Sequence, residues 1–168
     1  MLAIILVAVG ILLRFAPHPA NFTPVAAIAI FGGAYLNKKY AILIPLVLMV
    51  VSDSLIGTHN VMLFTWGGFI LSAFLGFWVK KRKSALRVFS AGLASSVIFY
   101  LVSNFGVWIM GWYPLTLSGL ANCYIMGLPF LRDFTLSTIL YAAAFFGIYE
   151  FVARLARNTK LAKVLLEN

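Results

Sequence analysis

What this chain has least of is charge. Asp, Glu, Lys and Arg make up 10% of its 168 residues against 63% apolar ones, and the mean hydropathy is +1.02. Soluble domains carry about 25% charged residues, so the composition places the chain in a lipid bilayer. Acid is scarcer than base: four Asp and Glu stand against 13 Lys and Arg, for a net charge of +9. Such an excess can serve nucleic acid, but here the basic residues stand in short clusters between apolar runs, as in loops that flank membrane spans, so no nucleic-acid partner is expected. Cysteine is nearly absent. Cys123 alone can form neither an internal disulfide nor a thiolate metal cluster, and no metal or cofactor is expected. Also missing are HExxH, GxSxG and GxxxxGK[ST], the patterns of a zinc protease, an α/β-hydrolase and a phosphate-cradling ATPase loop. Ser52, Asp53 and His18 could supply a catalytic triad in name, but no strand-turn-helix context supports one, so the chain is not expected to be an enzyme.

What is present is a series of apolar runs. A helix crossing the hydrocarbon core needs about 20 apolar residues, fewer where its ends are buried in protein. Six segments approach this: residues 1–15, 24–36, 41–56, 61–79, 88–112 and 134–155, followed by a tail over 156–168. The second is short for a lone span. The first lacks a basic leader and a small-residue cleavage site, and Arg14 follows its apolar stretch, so it is expected to be a retained helix. Between the fifth and sixth spans the apolar connection 113–133 is too long for a turn, and its 118–126 portion is expected to form a short extra helix stopped by Pro129. The fold class expected is therefore all-α, a single six-span helical membrane domain.

Charge fixes the orientation, because Lys and Arg are retained on the cytoplasmic side of short loops. With the N-terminus inside, Lys38, Lys39, Lys80, Lys81, Arg82, Lys83, Arg87, Arg154, Arg157, Lys160 and Lys163 all face the cytoplasm, leaving Arg14 and Arg132 outside: eleven of the 13 against two. Both termini are then cytoplasmic.

That orientation gathers the costly polar groups at one depth. Asp53 lies four residues before Gly57, about 6 Å below the outer end of the third span at 1.5 Å per residue. Ser103 and Asn104 fall in the outer half of the fifth span, and Arg14 ends the first. Ionisable groups within spans normally face a cavity or a partner, so an outward-open polar pocket is expected. The stretch Arg14-Phe-Ala-Pro-His-Pro-Ala-Asn-Phe-Thr-Pro24 closes it: three prolines forbid a continuous helix, and Arg14, His18 and Asn21 exceed what a tether needs. The residues expected to bind substrate are Arg14, His18, Asn21, Asp53, Asn104, Trp108, Asn122 and Tyr124. Trp108, with Trp112 and Tyr113, equally suits an aromatic belt. Asp53 can instead pair with an arginine, Asn104 can serve as interhelical glue, and His59 reads as loop. Ala29, Gly33, Gly68, Ser72 and Gly76 are small residues at four-residue spacing; their default role is internal packing, and they are also the candidates for a docking face. Glu150 and Arg154 stand at i,i+4 as a structural pair.

Residues 14–33, Ser52-Asp53, Ser103-Asn-Phe-Gly-Val-Trp108, Tyr113-Pro114, Gly119-Leu120 and Cys123-Tyr124 together resemble a family of bacterial membrane proteins described as substrate-binding (S) components of energy-coupling-factor (ECF) vitamin transporters. The resemblance runs from about residue 14 to residue 150. It implies a six-helix bundle in the bacterial cytoplasmic (inner) membrane, whose first outer loop closes over a micronutrient, and a separate transmembrane subunit with ATPases that supplies energy. Two positions depart from the pattern: Ala3 and Ala8 are five apart where relatives carry an Ala-xxx-Ala surface, and Ser137-Thr138 stands where relatives tend to carry an acid. The function expected is a substrate-binding membrane subunit for uptake of a small vitamin-like solute, ring-containing or anionic. A stand-alone secondary transporter or channel is the alternative, and an intramembrane enzyme comes third.

Overall fold

The structure, a computed structural model, describes residues 1–17, 19–157, 159 and 161–166, with side chains at all of these except 161 and 163. Within them the chain is helical throughout and has no strand: α1 Leu2–Arg14, α2 Val25–Tyr35, α3 Lys38–Ile56, α4 Met62–Lys81, α5 Ala85–Ile109, α6 Leu117–Ala156 and α7 Leu161–Leu166. Four of them, α3 to α6, are long and apolar enough to cross a membrane, while α1 and α2, at 13 and 11 residues, are shorter apolar helices.

α2 shows how an 11-residue helix can belong to such a bundle. Every residue from Val25 to Tyr35 is buried, and a helix that is apolar on all sides gains stability only when it is enclosed by others. Its alanines and glycines let the neighbours close in. A Cβ added at Gly33 would fall on the backbone oxygen of Ala73 and 2.8 Å from the Cα of Gly76, and one added at Gly76 would fall on the oxygen of Ile30. The α2–α4 seam is therefore a backbone-to-backbone contact of the kind that small residues permit. Ala29, Gly33, Gly68, Ser72 and Gly76 are all buried in the bundle. The docking face expected from their spacing is thus not a surface: Gly33 and Gly76 close the α2–α4 seam, Gly68 meets Phe99, and Ser72 bonds Ser95 at 2.7 Å.

The connection 113–133 differs from expectation as well. No separate short helix precedes a sixth span; α6 runs unbroken for 40 residues through Pro129, starting from an N-cap in which the Thr116 hydroxyl accepts from the Gly119 N–H at 3.1 Å. Proline costs a helix interior one hydrogen bond, but tertiary contacts hold this segment. Gly119, Cys123 and Gly127 form a buried small-residue stripe; Cys123 Sγ donates to the Asn104 carbonyl at 3.3 Å, and the Tyr124 hydroxyl donates to the Leu101 carbonyl at 2.9 Å. The i,i+4 pair of Glu150 and Arg154 does not form. Glu150 accepts a 2.7 Å hydrogen bond from the Tyr35 hydroxyl instead.

These contacts define two ends. At one, Lys80 Nζ donates to the Leu36 carbonyl at 3.2 Å, Lys83 stands 3.9 Å over the Tyr35 ring, and the Met1 amine donates to the Leu165 carbonyl at 3.3 Å. At the other, Arg14 of α1, Asp53 of α3 and Trp66 of α4 converge.

Candidate functional site

The convergence at the Arg14 end begins with the loop. After α1 the prolines forbid helix, and Asn21 takes a left-handed conformation with φ 60, one that Asn adopts more readily than other residues with a side chain. The chain thereby turns back over α3 and α4 before α2 begins at Val25. The α3–α4 connection, residues 57–61, is shorter. Gly57 ends α3 at φ 139, open to glycine, and brings His59 over the last turn of α3.

Beneath these two connections lies a cavity of about 190 Å³, bordered by Arg14, Asn21, Thr23, Asp53, His59 and Thr65 and floored by Met49, Phe69, Phe99 and Phe134. The floor is a packed aromatic set. Phe99 and Phe134 stack with centroids 4.3 Å apart, and Phe69 lies 4.7 Å from Phe99. A smaller hollow of about 30 Å³ continues past Phe99 and Phe134 towards Ser103 and Asn104, with Asn21 lining both.

Asp53 is the electrostatic centre. It is 4% exposed, a depth at which an unpaired carboxylate would be very costly. Its Oδ2 accepts from Trp66 Nε1 at 2.8 Å and stands 3.9 Å from His59 Nε2, while Oδ1 stands 3.9 Å from Arg14 Nη2. Charge-assisted hydrogen bonds run at about 2.7–2.9 Å, so Trp66 provides the short bond, Ser52 Oγ a longer one to Oδ1 at 3.5 Å, and Arg14 acts as a charge neighbour with the His59 ring beside it. Thr23 Oγ1 and His59 Nδ1 are buried atoms with no hydrogen-bond partner among the described residues. Thr23 itself is 6% exposed and lines the cavity. A buried hydroxyl left unmatched normally costs about 1–3 kcal/mol, and a polar ligand in the cavity would recover that cost. Among the described residues no three His, Cys, Asp or Glu side chains converge as a metal-ligand set.

Of the residues singled out from the sequence, the structure brings Arg14, Asn21 and Asp53 around the cavity. His18 lies outside the described residues. Asn104 is displaced into the smaller hollow, where its amide donates to the Tyr100 carbonyl at 2.9 Å and its side chain packs on Gly127. Trp108, Asn122 and Tyr124 do not line the cavity. Trp108 Nε1 donates to the Pro114 carbonyl at 3.0 Å and ties the α5–α6 connection, Tyr124 bonds Leu101, and Asn122 is exposed on α6. The reason is that α6 begins at Leu117, so this part of it packs along the outside of α5 instead of crossing over the pocket.

The sequence reading missed His59, Trp66, Thr23 and the three phenylalanines. His59 had a signal, because a connection as short as 57–61 must lie over Asp53 at the end of α3. The phenylalanines had none, since an apolar side chain facing a cavity and one facing lipid look alike in sequence.

The chain belongs to a family of unknown function, DUF6580, whose family model matches residues 1–161. No curated protein and no solved structure matches it.

Proposed function

We propose that this member of a family of unknown function is the substrate-binding subunit of a membrane uptake system, similar to the S components of ECF transporters, and that its ligand is a small ring-bearing anion or zwitterion. The observation that carries this reading is the cavity under the 15–24 and 57–61 connections, with polar groups from three helices and both connections on its border and stacked aromatic rings beneath. A planar ring would lie against Phe99 and Phe134, an anionic group would face Arg14, and a donor would face Asp53; Asn21 and the Thr23 hydroxyl supply orientation. A volume of about 190 Å³ suits one substituted ring rather than a large cofactor.

On this reading the chain crosses the membrane six times with both termini in the cytoplasm, and the enclosure of α2 accounts for a span of 11 residues. Reporter fusions after Arg87 and after Ser118 should then report opposite sides, and the same side for both would end the six-span arrangement. The chain carries no phosphate-cradling loop, so accumulation would depend on a partner with ATPases. The decisive experiment purifies the chain in mild detergent and identifies copurifying small molecules by mass spectrometry. It then measures binding of the identified solute to the wild type and to Asn21→Ala. Binding by the chain alone, with uptake into liposomes only when a partner and ATP are present, is the expected result.

One observation favours a second reading, a stand-alone proton-coupled transporter: a buried carboxylate beside a histidine is a pair that can carry a proton. Concentrative, pH-driven uptake by the purified chain in liposomes would select it.

A further inference from the structure

At the Lys83 end a groove of about 400 Å³ opens between α5 and α6. Its walls are apolar, with Val88 on α5 and Ile139 and Phe146 on α6, and its mouth carries Lys83, Arg154 and Glu150. Glu150 accepts from the Tyr35 hydroxyl at 2.7 Å, and Lys83 Nζ rests 3.9 Å over the same Tyr35 ring. Arg154 is not in an ion pair with Glu150; among the described residues Asp53 pairs with Arg14 and has the His59 ring 3.9 Å away. Two cations thus share the mouth with one carboxylate, which leaves a net positive charge there. The surroundings raise the positive potential, because Lys80, Lys81, Arg82 and Arg87 flank the same α4–α5 connection.

Cations at the mouth and an apolar wall between two exposed helices select a ligand with both characters. A soluble phosphate would leave the wall unused, and a neutral lipid would leave the cations unused. We propose that this groove is a binding site for an anionic phospholipid, with its phosphate between Lys83 and Arg154 and one acyl chain along Val88, Ile139 and Phe146. Basic pockets between helices at the membrane surface suit such headgroups. The site stands apart from the outer cavity and does not depend on what binds there.

The test is native mass spectrometry of the purified chain with phosphatidylglycerol, phosphatidylcholine or inorganic phosphate. The wild type should retain phosphatidylglycerol in preference to phosphatidylcholine by about tenfold, and K83Q/R154Q should bring that ratio close to one. K38Q/K39Q, which removes the same charge from the start of α3, should leave the ratio unchanged. Gly147 also lines the groove and has nothing within 4 Å of an added Cβ, so G147F should fold, fill the groove and lower retention of both lipids. The proposal is overturned if K83Q/R154Q keeps the preference, if K38Q/K39Q loses as much of it, or if inorganic phosphate displaces the lipid while G147F has no effect.

Discussion

At the Arg14 end of the bundle, one carboxylate is 4% exposed and is held by an indole N–H, an arginine and a histidine under two ordered connections. At the Lys83 end, Glu150 is half-buried and takes one phenol hydroxyl, and the cations around it lie in an open groove. The two ends therefore treat the same chemical group differently. Burying a charge is tolerable only with several partners arranged around it, whereas a carboxylate near the surface can keep water and needs little else. The closed end holds its charge in a fixed geometry beside a small cavity. The open end keeps its charge where a headgroup can reach it.

The two ends belong to one bundle, and the α2–α4 seam is among the contacts that join them. Gly33→Leu should therefore have the largest effect, more than about 4 kcal/mol, because a side chain there has only the Ala73 backbone to move into. The expected observation is loss of a monodisperse peak in detergent. A folded Gly33→Leu protein would mean that the seam is not what couples the ends.

Next comes the contrast of the acids themselves. Asp53→Ala should lower stability by about 3–5 kcal/mol, because it removes the acceptor of the Trp66 N–H and the charge opposite the half-buried Arg14, and thermal unfolding in detergent should show it at once. Glu150→Ala should cost about 1 kcal/mol, since a part-buried hydroxyl loses one bond. Equal effects would remove the distinction between the two ends.

Trp66→Phe sharpens the closed end by deleting the 2.8 Å bond to Asp53 while keeping an aromatic ring. A hydrogen bond to a charged group is worth about 1.5–3 kcal/mol, so a fall in melting temperature between those of the two acid variants is expected.

The smallest change in stability comes from the loop variant Asn21→Gly. Asn21→Gly keeps the left-handed turn and removes the amide, while Asn21→Ala adds strain of about 1–2 kcal/mol. If the side chain contacts the ligand, both variants should lose affinity and only the alanine should lose stability. If Asn21 serves the turn alone, glycine should bind as the wild type does.

Much of this was legible in the residues. Composition and the spacing of basic clusters establish a helical membrane protein, and the three prolines between Arg14 and Pro24 mark an ordered break above Asp53. The expected helix starts hold to within a few residues for α2 to α5, because Asn37, Gly57 and Ser84 mark boundaries by local backbone chemistry. The error at α6 has a physical cause. Pro129 is a strong local stop, and only the packing of Gly119, Cys123 and Gly127 against α5 and its following connection carries the helix through it.

The sequence by itself determined what depends on single residues and their immediate neighbours: the bilayer as solvent, the loop above the third helix, and the placing of Arg14 and Asp53 at one end of the bundle. Only the tertiary structure decided which apolar faces meet. It turned the small-residue row inward, part against the α2–α4 seam and part against α5, moved Trp108 and Tyr124 away from the cavity, and brought Phe69, Phe99 and Phe134 from three helices to its floor. Lipid and protein interior are alike in polarity, so hydropathy cannot separate a helix face that meets one from a face that meets the other. That choice is made by shape, through backbone approach at glycines and the stacking of rings, and shape exists only once the helices are packed.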